Sequence, residues 1–505
     1  MGRKNRSKKS NIQSKGAANC TEEKQQLSKA AKRDVMDLVR VLLEKCSIPP
    51  TSSGKEFEEY LEIRETVEQI REIQKDLTYK SDERADKFSV FMDWLKSRSV
   101  DTSCVGINKF DGFGYGLQAS KDLKEEEWFL RIPRDVMMTS DSAQKSVLGP
   151  LINADKILQV MPSVVLALHL LCERRSEQSP WKPYLDILPD TYNTPLYFTP
   201  DDVKLLKGSP AQSDCMNQFR NIARQYGYFY KLFQSDPAIA ASLPIKDVFT
   251  YDDYRWAVST VMTRQNQIPT PDGNKMTFAL IPLWDMCNHC SGIITTSFNL
   301  EQNCSECYAL RDYTQGDQIF IFYGARSNAE LLVNNGFVYM ENEHDRTAVR
   351  LGIGKADPLL DLKSKLLARC GLEPSRTFYL HTGEYSVDSN LLIFLRVFQM
   401  DEDTLKSKCS RENVEEVKAE LGDLNKVVSI ETESKVWSFL ETRTGLLLRG
   451  YETSLEDDEV LLKSDRLSGC QRLCVQLRCL EKRIFKSSLE FASRQKQKLA
   501  PSSGT

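Results

Sequence analysis

The chain has 505 residues, of which 41% are hydrophobic and 28% are charged. Because domains average roughly 100–200 residues, this length predicts two or three domains. Its 68 Lys and Arg residues nearly balance 71 Asp and Glu residues, which excludes a nucleic-acid binder held by a positive field over a whole domain. No stretch approaches the roughly 20 apolar residues of a membrane-spanning helix, so no membrane association is expected. The 14 cysteines, without a secretory signal, predict reduced thiols.

The N-terminal hundred residues divide into a polar arm and a helical segment. Residues 1–20 are rich in Lys, Arg and Ser, which predicts a disordered basic arm and leaves nuclear import open. Residues 21–98 show helical periodicity, with apolar residues at steps of three and four between Val35 and Leu42 and again between Tyr60 and Leu77. This spacing predicts amphipathic helices.

Residues 99–340 carry short apolar or alternating runs that predict strands, among them VGINKF, YGLQAS, MTFALIPLWD and QIFIFYG. Helical spacing interrupts these runs at about 141–250, where ADKILQVMPSVVLALHLLCERR precedes the segment SPWKPYLDILPDTYNTPLYF. A helix over Tyr254–Thr263 follows, with Thr250 and Asp253 in capping spacing. One β domain split by a helical insert is therefore expected.

Helices are predicted again over residues 341–490. LLIFLRVF has the pattern of one helix, and Leu473, Leu477, Leu480 and Ile484 line another. The polar end, residues 491–505, predicts a disordered tail. The fold class expected from the whole pattern is α+β, with a β core, a helical insert and an all-α C-terminal domain.

A cysteine pattern raises the question of zinc. Cys287 and Cys290 are followed by Cys304 and Cys307, and paired thiolates two residues apart can bind one tetrahedral ion. The spacer of 13 residues is shorter than the usual roughly 15–20. Small apolar thiols also pack well in strands and turns, so we predict that no metal binds here. A scaffold stapled by zinc is the alternative.

The glycine run DGFGYG at 111–116 superficially matches a nucleotide-binding turn. That site requires a helix next, whose N-terminus receives the phosphates. The residues that follow read instead as a strand, a charged turn and a second strand. A β-turn with positive φ is therefore predicted, in which glycines also let the backbone approach a small molecule.

Three more segments, RQNQIP at 264–269, PLWDMCNH at 282–289 and TQGDQIFIFYG at 314–324, are each explicable as a core strand or turn. Together with DGFGYG they resemble the SET-domain methyltransferases, whose signature joins an Asn-His pair to GDQIxxxYG. The insert with SPWKPYLDILP and the helical C-terminal third narrow the resemblance to the branch of the Rubisco large-subunit lysine methyltransferases. YRWAVSTVMTRQNQIPT and ALIPLWDMCNH make the chain most similar to the actin-histidine N-methyltransferases within that branch.

The resemblance implies S-adenosylmethionine as the methyl donor, actin as the protein partner, and a C-terminal domain that binds substrate. It implies two catalytic residues, Tyr323 and Asn266, and three residues that line the peptide groove, Trp284, Gln265 and Arg326. The cofactor contacts that it implies are Arg84, Phe113, Gly114, Tyr115, Arg264, Asp285, Met286, Cys287, Asn288, His289, Asn335, Gly336 and Phe337. The two arginines suit the donor's carboxylate, because a guanidinium binds a carboxylate in a bidentate fork.

The acceptor decides which enzyme this is. A lysine must lose a proton before it attacks, which at pH 7 costs roughly 4.6 kcal/mol, whereas an imidazole is already mostly neutral. A histidine needs only its tautomer fixed, and the resemblance gives Asn266 that role. We expect a cytoplasmic, monomeric enzyme that methylates a histidine of actin. A methyltransferase for histone or other protein lysines, and a non-catalytic actin-binding module, stay open as alternatives.

Overall fold

The computed structural model describes residues 26–47, 54–80, 83–235 and 240–499. The predicted basic arm, and residues 500–505 of the predicted tail, lie outside this part of the chain. The N-terminal segment is helical as predicted, with α1 (Lys29–Ser47), α2 (Glu56–Gln74), a 3₁₀ turn (Arg84–Lys87) and α3 (Phe88–Ser97).

The N-terminal helices bury their apolar faces against the rest of the protein. Val35, Val39 and Leu42 of α1 are fully buried. A side chain at Gly227 of the insert would meet Leu43 of α1 at 3.2 Å, so the two helices pack backbone to side chain. The N-terminal segment therefore shares one hydrophobic core with the β domain and its insert.

The β domain consists of short strands in three small sheets. The strands are β1 (Val105–Phe110), β2 (Gly114–Ala119), β3 (Trp128–Pro133), β4 (Met138–Thr139), β5 (Asn266–Pro269), β6 (Met276–Leu280), β7 (Asn288–His289), β8 (Thr296–Asn299), β9 (Cys304–Tyr308) and β10 (Gln318–Ile321). They pair in the orders β1-β2-β10-β7, β3-β9-β8 and β4-β6-β5. Among the strands of the described residues in this domain, only β7 and β10 pair in parallel.

The helical insert separates β4 from β5. Its helices are α4 (Ser140–Gln144), α5 (Gly149–Ala154), α6 (Lys156–Val160), α7 (Pro162–Arg174), α8 (Lys182–Leu185), α9 (Pro200–Leu205) and α10 (Pro210–Ser235). Helix α11 (Tyr251–Arg264) follows, and the Thr250 hydroxyl caps it by accepting from the Asp253 N–H at 3.0 Å. Helix α11 ends directly before β5. The last turn of α11 therefore lies at the site described below.

The C-terminal region is mostly helical, which confirms the α+β class, but it is not all-α. Its elements are α12 (Asn328–Asn335), β11 (Arg346–Gly352), α13 (Leu360–Arg369), β12 (Ser375–His381), α14 (Ser389–Gln399), α15 (Glu402–Ser410), α16 (Val414–Gly422), α17 (Ile430–Leu448), α18 (Leu455–Leu462) and α19 (Gly469–Leu499). Strands β11 and β12 pair antiparallel. Residues Thr347, Val349 and Leu351 are buried between more exposed neighbours, and this period of two marks a strand that helical windows overlook.

The predicted tail was wrong for residues 491–499, because α19 continues to Leu499. Phe491 and Ala492 are buried, and the Phe491 ring meets Trp437 edge to face at 5.7 Å. The polar letters of this segment are the solvent face of an amphipathic helix. Helix α19 also contributes Leu477 to the first core and Phe485 to the C-terminal core, so it holds the two together. Within the described ranges, no helix combines the length and apolarity needed to cross a membrane.

Candidate active site

A cavity of about 500 Å³, here called the acceptor cavity, opens where α11 meets β5. Its walls come from the end of α11, the start of β5, the turn before β7, the end of β10 and α12. The five residues predicted as catalytic or groove-lining all line it: Gln265, Asn266, Trp284, Tyr323 and Arg326. Four of the predicted cofactor residues line it as well: Arg264, Asp285, Cys287 and Asn335.

Tyr323 is positioned by the parallel pairing of β7 and β10, in which Ile321 lies opposite His289. The Tyr323 hydroxyl donates to the Cys287 carbonyl at 2.6 Å, and its backbone N–H donates to His289 Nδ1 at 3.2 Å. Burial, and secondarily the neighbouring Cys287, raises the pKa of the Tyr323 phenol. The phenol is therefore neutral at physiological pH, with its proton committed to a carbonyl.

His289 is enclosed by aromatic rings. Its ring centroid lies 5.1–6.0 Å from those of Phe322, Tyr323, Phe337 and Tyr339. Burial lowers the pKa of His289 to about 4, so the ring is neutral, and Nδ1 is the acceptor nitrogen because it receives the Tyr323 N–H. The side chain is thus committed to packing.

Asn266 begins β5 and lines the cavity. Its Nδ2 donates to the Arg264 carbonyl at 3.1 Å. Because a carbonyl can only accept, this contact fixes the orientation of the amide and leaves Oδ1 as the acceptor for a ligand. Gln265, the residue between them, accepts a hydrogen bond from the Ser163 hydroxyl at 3.0 Å, which ties β5 to the helical insert.

A buried charge network lies behind the cavity. Arg264 Nη1 donates to the Asp285 carbonyl at 3.0 Å and lies 3.1 Å from Asp285 Oδ2. The Tyr184 hydroxyl donates to the same Oδ2 at 2.6 Å. Burial alone would lower the pKa of Arg264, but Asp285, Tyr192 and Tyr184 raise it overall. Asp285 Oδ1 is buried without a hydrogen-bond partner among the described residues.

Arg84 stands beside this network as a second guanidinium. It lies over the rings of Phe88 and Tyr115, at 5.5 and 5.1 Å from their centroids. Burial and the neighbouring Arg264 lower the pKa of Arg84 to about 10, and within the described chain its buried Nε has no partner. Two adjacent guanidinium groups and an unpaired N–H are suited to bind a carboxylate.

The DGFGYG segment is the β1–β2 turn, as predicted, and Gly112 and Gly114 have φ of 74° and 71°. Asn288 Nδ2 lies 3.4 Å from the Tyr115 carbonyl, so this turn and the Asn-His segment are neighbours. A side chain at Gly116 would come within 2.7 Å of Asn288 Nδ2 and 2.8 Å of Gln318 Nε2, so these two side chains would have to shift to admit one. The neighbouring Phe113 side chain is instead 49% exposed and lies against Phe320 rather than in the cavity.

Helix α12 closes the opposite side. Asn335 accepts from Arg326 Nη1 at 2.9 Å and donates to the Thr263 carbonyl at 3.4 Å. Gly336 ends the helix with φ of 77°, and a side chain there would meet the Asn193 backbone at 3.0 Å. Phe337 packs on His289 and Tyr323. Met286 is 4% exposed and packs in the core beside the cavity.

Sequence reasoning missed the insert's contribution to this site. Tyr184, Tyr192 and Ser163 all come from the helical insert, and Tyr184 lies 101 residues before its partner Asp285. In the sequence, the segment that contains Tyr184 indicates only the similarity to the family. No periodicity or spacing links residues so far apart, so only the packed structure brings them together.

The cysteine pattern does not form a metal centre. In residues 26–47, 54–80, 83–235 and 240–499, no group of three or more His, Cys, Asp or Glu side chains is arranged to hold an ion. Burial raises the pKa of the thiols of Cys287, Cys290, Cys304 and Cys307. These four side chains are therefore protonated and pack in the β core and its turns.

Two family models match the chain: the SET domain over residues 114–324 and the Rubisco LSMT substrate-binding domain over residues 354–485. An actin-histidine N-methyltransferase of Danio rerio is 48% identical over 90% of this chain and 77% of its own length. The corresponding enzyme of Homo sapiens is 47% identical over 91% of this chain and 78% of its own length.

Solved structures of Rubisco LSMT have the same fold. The SET domain of LSMT bound to lysine and AdoHcy has a TM-score of 0.68 at 21% identity, covering 82% of this chain and 92% of that one. Rubisco LSMT bound to AdoMet has a TM-score of 0.65 at 23% identity, covering 82% of this chain and 93% of that one.

Proposed function

Since this chain belongs to the actin-histidine N-methyltransferase family of SET-domain proteins, we propose that it transfers a methyl group from S-adenosylmethionine to a ring nitrogen of an actin histidine. The observation that carries the proposal is the orientation of Asn266 in the acceptor cavity. The cofactor, the acceptor and the transfer each make separate demands on the residues present.

The residues beside the cavity fit this cofactor. Bound S-adenosylmethionine supplies a methyl group activated by a positively charged sulfur. Its carboxylate matches the unpaired N–H of Arg84 next to Arg264, and its ammonium matches the unpaired oxygen of Asp285. Each of these buried groups lacks a partner in the described chain and would gain one. The adjacent turn at Gly114 and Tyr115 would approach the cofactor through its backbone.

Asn266 selects a neutral imidazole. Its Nδ2 is held by the Arg264 carbonyl, so its Oδ1 would accept the N–H of one ring nitrogen. The other ring nitrogen then carries a lone pair, which is the form that attacks a methyl group. A lysine ammonium would instead have to lose a proton first, at a cost of roughly 4.6 kcal/mol at pH 7. The arrangement therefore supports histidine as the acceptor over lysine.

Tyr323 positions polarised C–H groups and does not act as a base. Its hydroxyl proton is donated to the Cys287 carbonyl, so the oxygen keeps its lone pairs for weak contacts with polarised C–H groups. The raised pKa of the phenol keeps it uncharged, which excludes a phenolate base at physiological pH. A neutral histidine acceptor needs no such base, because its attacking nitrogen is already unprotonated.

The proposed partner follows from the same family membership. We expect actin to bind as a folded protein over the groove formed by Gln265, Trp284 and Arg326. We also expect the enzyme to work as a monomer in the cytoplasm.

The test is the chemical identity of the product. Purified actin, incubated with this protein and S-adenosylmethionine carrying a labelled methyl group, should yield labelled methylhistidine at one position in mass spectrometry. Actin with that histidine replaced by alanine should take up no label. Labelled methyllysine would favour the lysine alternative, and cofactor binding without any labelled product would favour a non-catalytic module.

Asn266→Leu tests the observation itself. Leucine has the same branched shape as asparagine but no acceptor, so the imidazole tautomer is no longer fixed and one hydrogen bond is lost, worth about 1–3 kcal/mol. We expect kcat/KM for a histidine peptide to fall about 10- to 100-fold, while S-adenosylhomocysteine binds within twofold of the wild-type affinity in calorimetry. Unchanged peptide kinetics would remove Asn266 from the mechanism.

A further inference from the structure

Two more cavities lie along a path that leads away from the acceptor cavity. The first, the interdomain cavity, has about 410 Å³ and is lined by α10, α12, the β11–β12 pair and α19. The second, the aromatic groove, has about 380 Å³ and lies in the C-terminal domain; it is lined chiefly by Arg350, Phe394, Phe398, Phe439, Arg443 and Leu446. Both are large enough to receive a side chain of another protein.

Shared elements connect the three cavities. Asn334 of α12 lines both the acceptor cavity and the interdomain cavity. Strand β11 contributes Arg346 and Ala348 to the interdomain cavity and Arg350 to the aromatic groove. Because a strand rises roughly 3.4 Å per residue, Ala348 and Arg350 are only about 7 Å apart along it. A protein lying over the acceptor cavity could therefore extend across β11 to the groove.

The floor of the aromatic groove is preformed. The rings of Phe394 and Phe398 lie 6.1 Å apart, and those of Phe398 and Phe439 lie 5.1 Å apart. Phe394 is 1% exposed and packs on Phe378 at 4.8 Å, which fixes the floor to the C-terminal core. Leu446, at the rim, is 50% exposed. This surface suits a large apolar side chain that needs no rearrangement of the enzyme.

The rim of the groove is positively charged. Arg443 Nη2 contacts the Arg350 carbonyl at 3.4 Å, and among the described residues its buried Nε has no hydrogen-bond partner. Within the residues that the structure describes, neither Arg350 nor Arg443 forms an ion pair, and no carboxylate lines the groove. Arg443 is partly buried and Arg350 is exposed, and guanidinium groups without an acidic partner favour a carboxylate from outside.

The interdomain cavity has the opposite character. Asp214 and Glu330 line it together with the buried Glu481, whose pKa burial raises to about 7, and of the lining residues only Arg346 is basic, 2.7 Å from Glu330. The charge along the path therefore changes from weakly acidic beside the acceptor cavity to basic at the groove. Such a change gives a bound protein one preferred direction, because the reversed orientation would place like charges together.

We propose that the aromatic groove is a docking site for the folded protein substrate, which inserts a large apolar side chain flanked by a carboxylate. This inference rests on the proposed function and adds to it the surface by which a folded substrate is distinguished from a short peptide. The carboxylate pairs with Arg350 and Arg443, and the apolar side chain lies on Phe398 and Phe439. The anchored substrate residue is remote from the histidine that is methylated.

The test compares folded actin with a short actin peptide that contains the target histidine, using the full chain. The double substitution Arg350→Glu and Arg443→Glu should raise KM for folded actin about 10-fold or more. The substitution replaces attraction between each arginine and the substrate carboxylate with repulsion between two carboxylates. Its kcat/KM for the peptide should stay within twofold of wild type. The matched control, Lys355→Glu with Arg449→Glu, makes the same change in net charge in the same domain outside the groove, and both substrates should retain wild-type kinetics.

Leu446→Asp provides a second, independent variant, because an exposed rim residue can change without disturbing the core. It decides the question if the double variant does not fold, and it should raise KM for folded actin alone. Equal KM for folded actin in wild type and Leu446→Asp would overturn the proposal. So would parallel losses on actin and peptide, or a change in oligomeric state in gel filtration, which would assign the groove to a second copy. A wild-type protein that methylates neither substrate would refute the proposed function, and the docking site with it.

Discussion

Replacing Tyr184 with phenylalanine removes one atom from the charge network behind the acceptor cavity. Tyr184 is fully buried, and its hydroxyl donates to Asp285 Oδ2 at 2.6 Å. The same carboxylate oxygen lies 3.1 Å from Arg264 Nη1. Asp285 Oδ1 already lacks a partner in the described chain, so Tyr184 and Arg264 together hold this side chain. The substitution should therefore loosen Asp285 and, through it, Arg264.

The magnitude follows from the kind of hydrogen bond lost. A buried bond to a charged acceptor contributes about 1.5–3 kcal/mol. We expect roughly half of this to appear as weaker cofactor binding, because Asp285 and Arg264 both line the cavity proposed to bind the cofactor and its acceptor. Half of it, about 0.75–1.5 kcal/mol, corresponds to a roughly 3- to 12-fold increase in the dissociation constant of S-adenosylhomocysteine. The rest should appear as a lower thermal midpoint.

Isothermal titration calorimetry with S-adenosylhomocysteine measures the first effect, and thermal unfolding measures the second. Tyr254→Phe is the matched control, because Tyr254 is equally buried and its hydroxyl donates to Gln225 at 2.9 Å. This hydrogen bond lies away from the cavity. The control should lower the thermal midpoint and leave cofactor affinity at the wild-type value. If Tyr184→Phe also lowered the thermal midpoint but kept wild-type affinity, the network would be structural only, and the reasoning would be refuted.

Two further predictions concern the buried carboxyl of Glu481 and the proposed catalytic role of Tyr323. Burial raises the pKa of Glu481 from 4.5 to about 7 despite hydrogen bonds from Ser209 and Tyr451, so folding takes up a proton between these pH values. The free energy of unfolding should therefore fall by about 3 kcal/mol as pH rises from 4.5 through 7, and Glu481→Gln should lose this dependence. Thermal midpoints at pH 5.5 and 8 measure the difference. The same change in midpoint for wild type and variant would contradict the prediction. Tyr323→Phe should lower kcat about 10-fold or more and keep cofactor affinity within twofold, by steady-state kinetics and calorimetry; lost binding with normal saturated turnover would make it a binding residue.

The order of elements followed from local sequence patterns. The apolar spacing of α1, α2, α11 and α19 predicted helices because one face of each is buried. Helix α11 begins at Tyr251, directly after its cap Thr250 and three residues before the predicted start at Tyr254. The glycines of the β1–β2 turn predicted positive φ, since other residues are strained there. Strand β11 was missed because its seven residues lie between helices, and α19 was cut short because a solvated helix face resembles a tail.

The site depended on contacts that cross long stretches of chain. Short motifs predicted Asn266 and Tyr323 as catalytic residues through the family that they resemble. The structure brings both side chains to one cavity. The sequence by itself determined which side chains were available, their chemistry and their local backbone. Only tertiary structure decided that Tyr184 holds Asp285, that Arg84 stands beside Arg264, and that β11 joins two cavities. Hydrogen bonding and charge act over a few ångströms in space, whatever the separation along the chain, so folding alone sets these pairs.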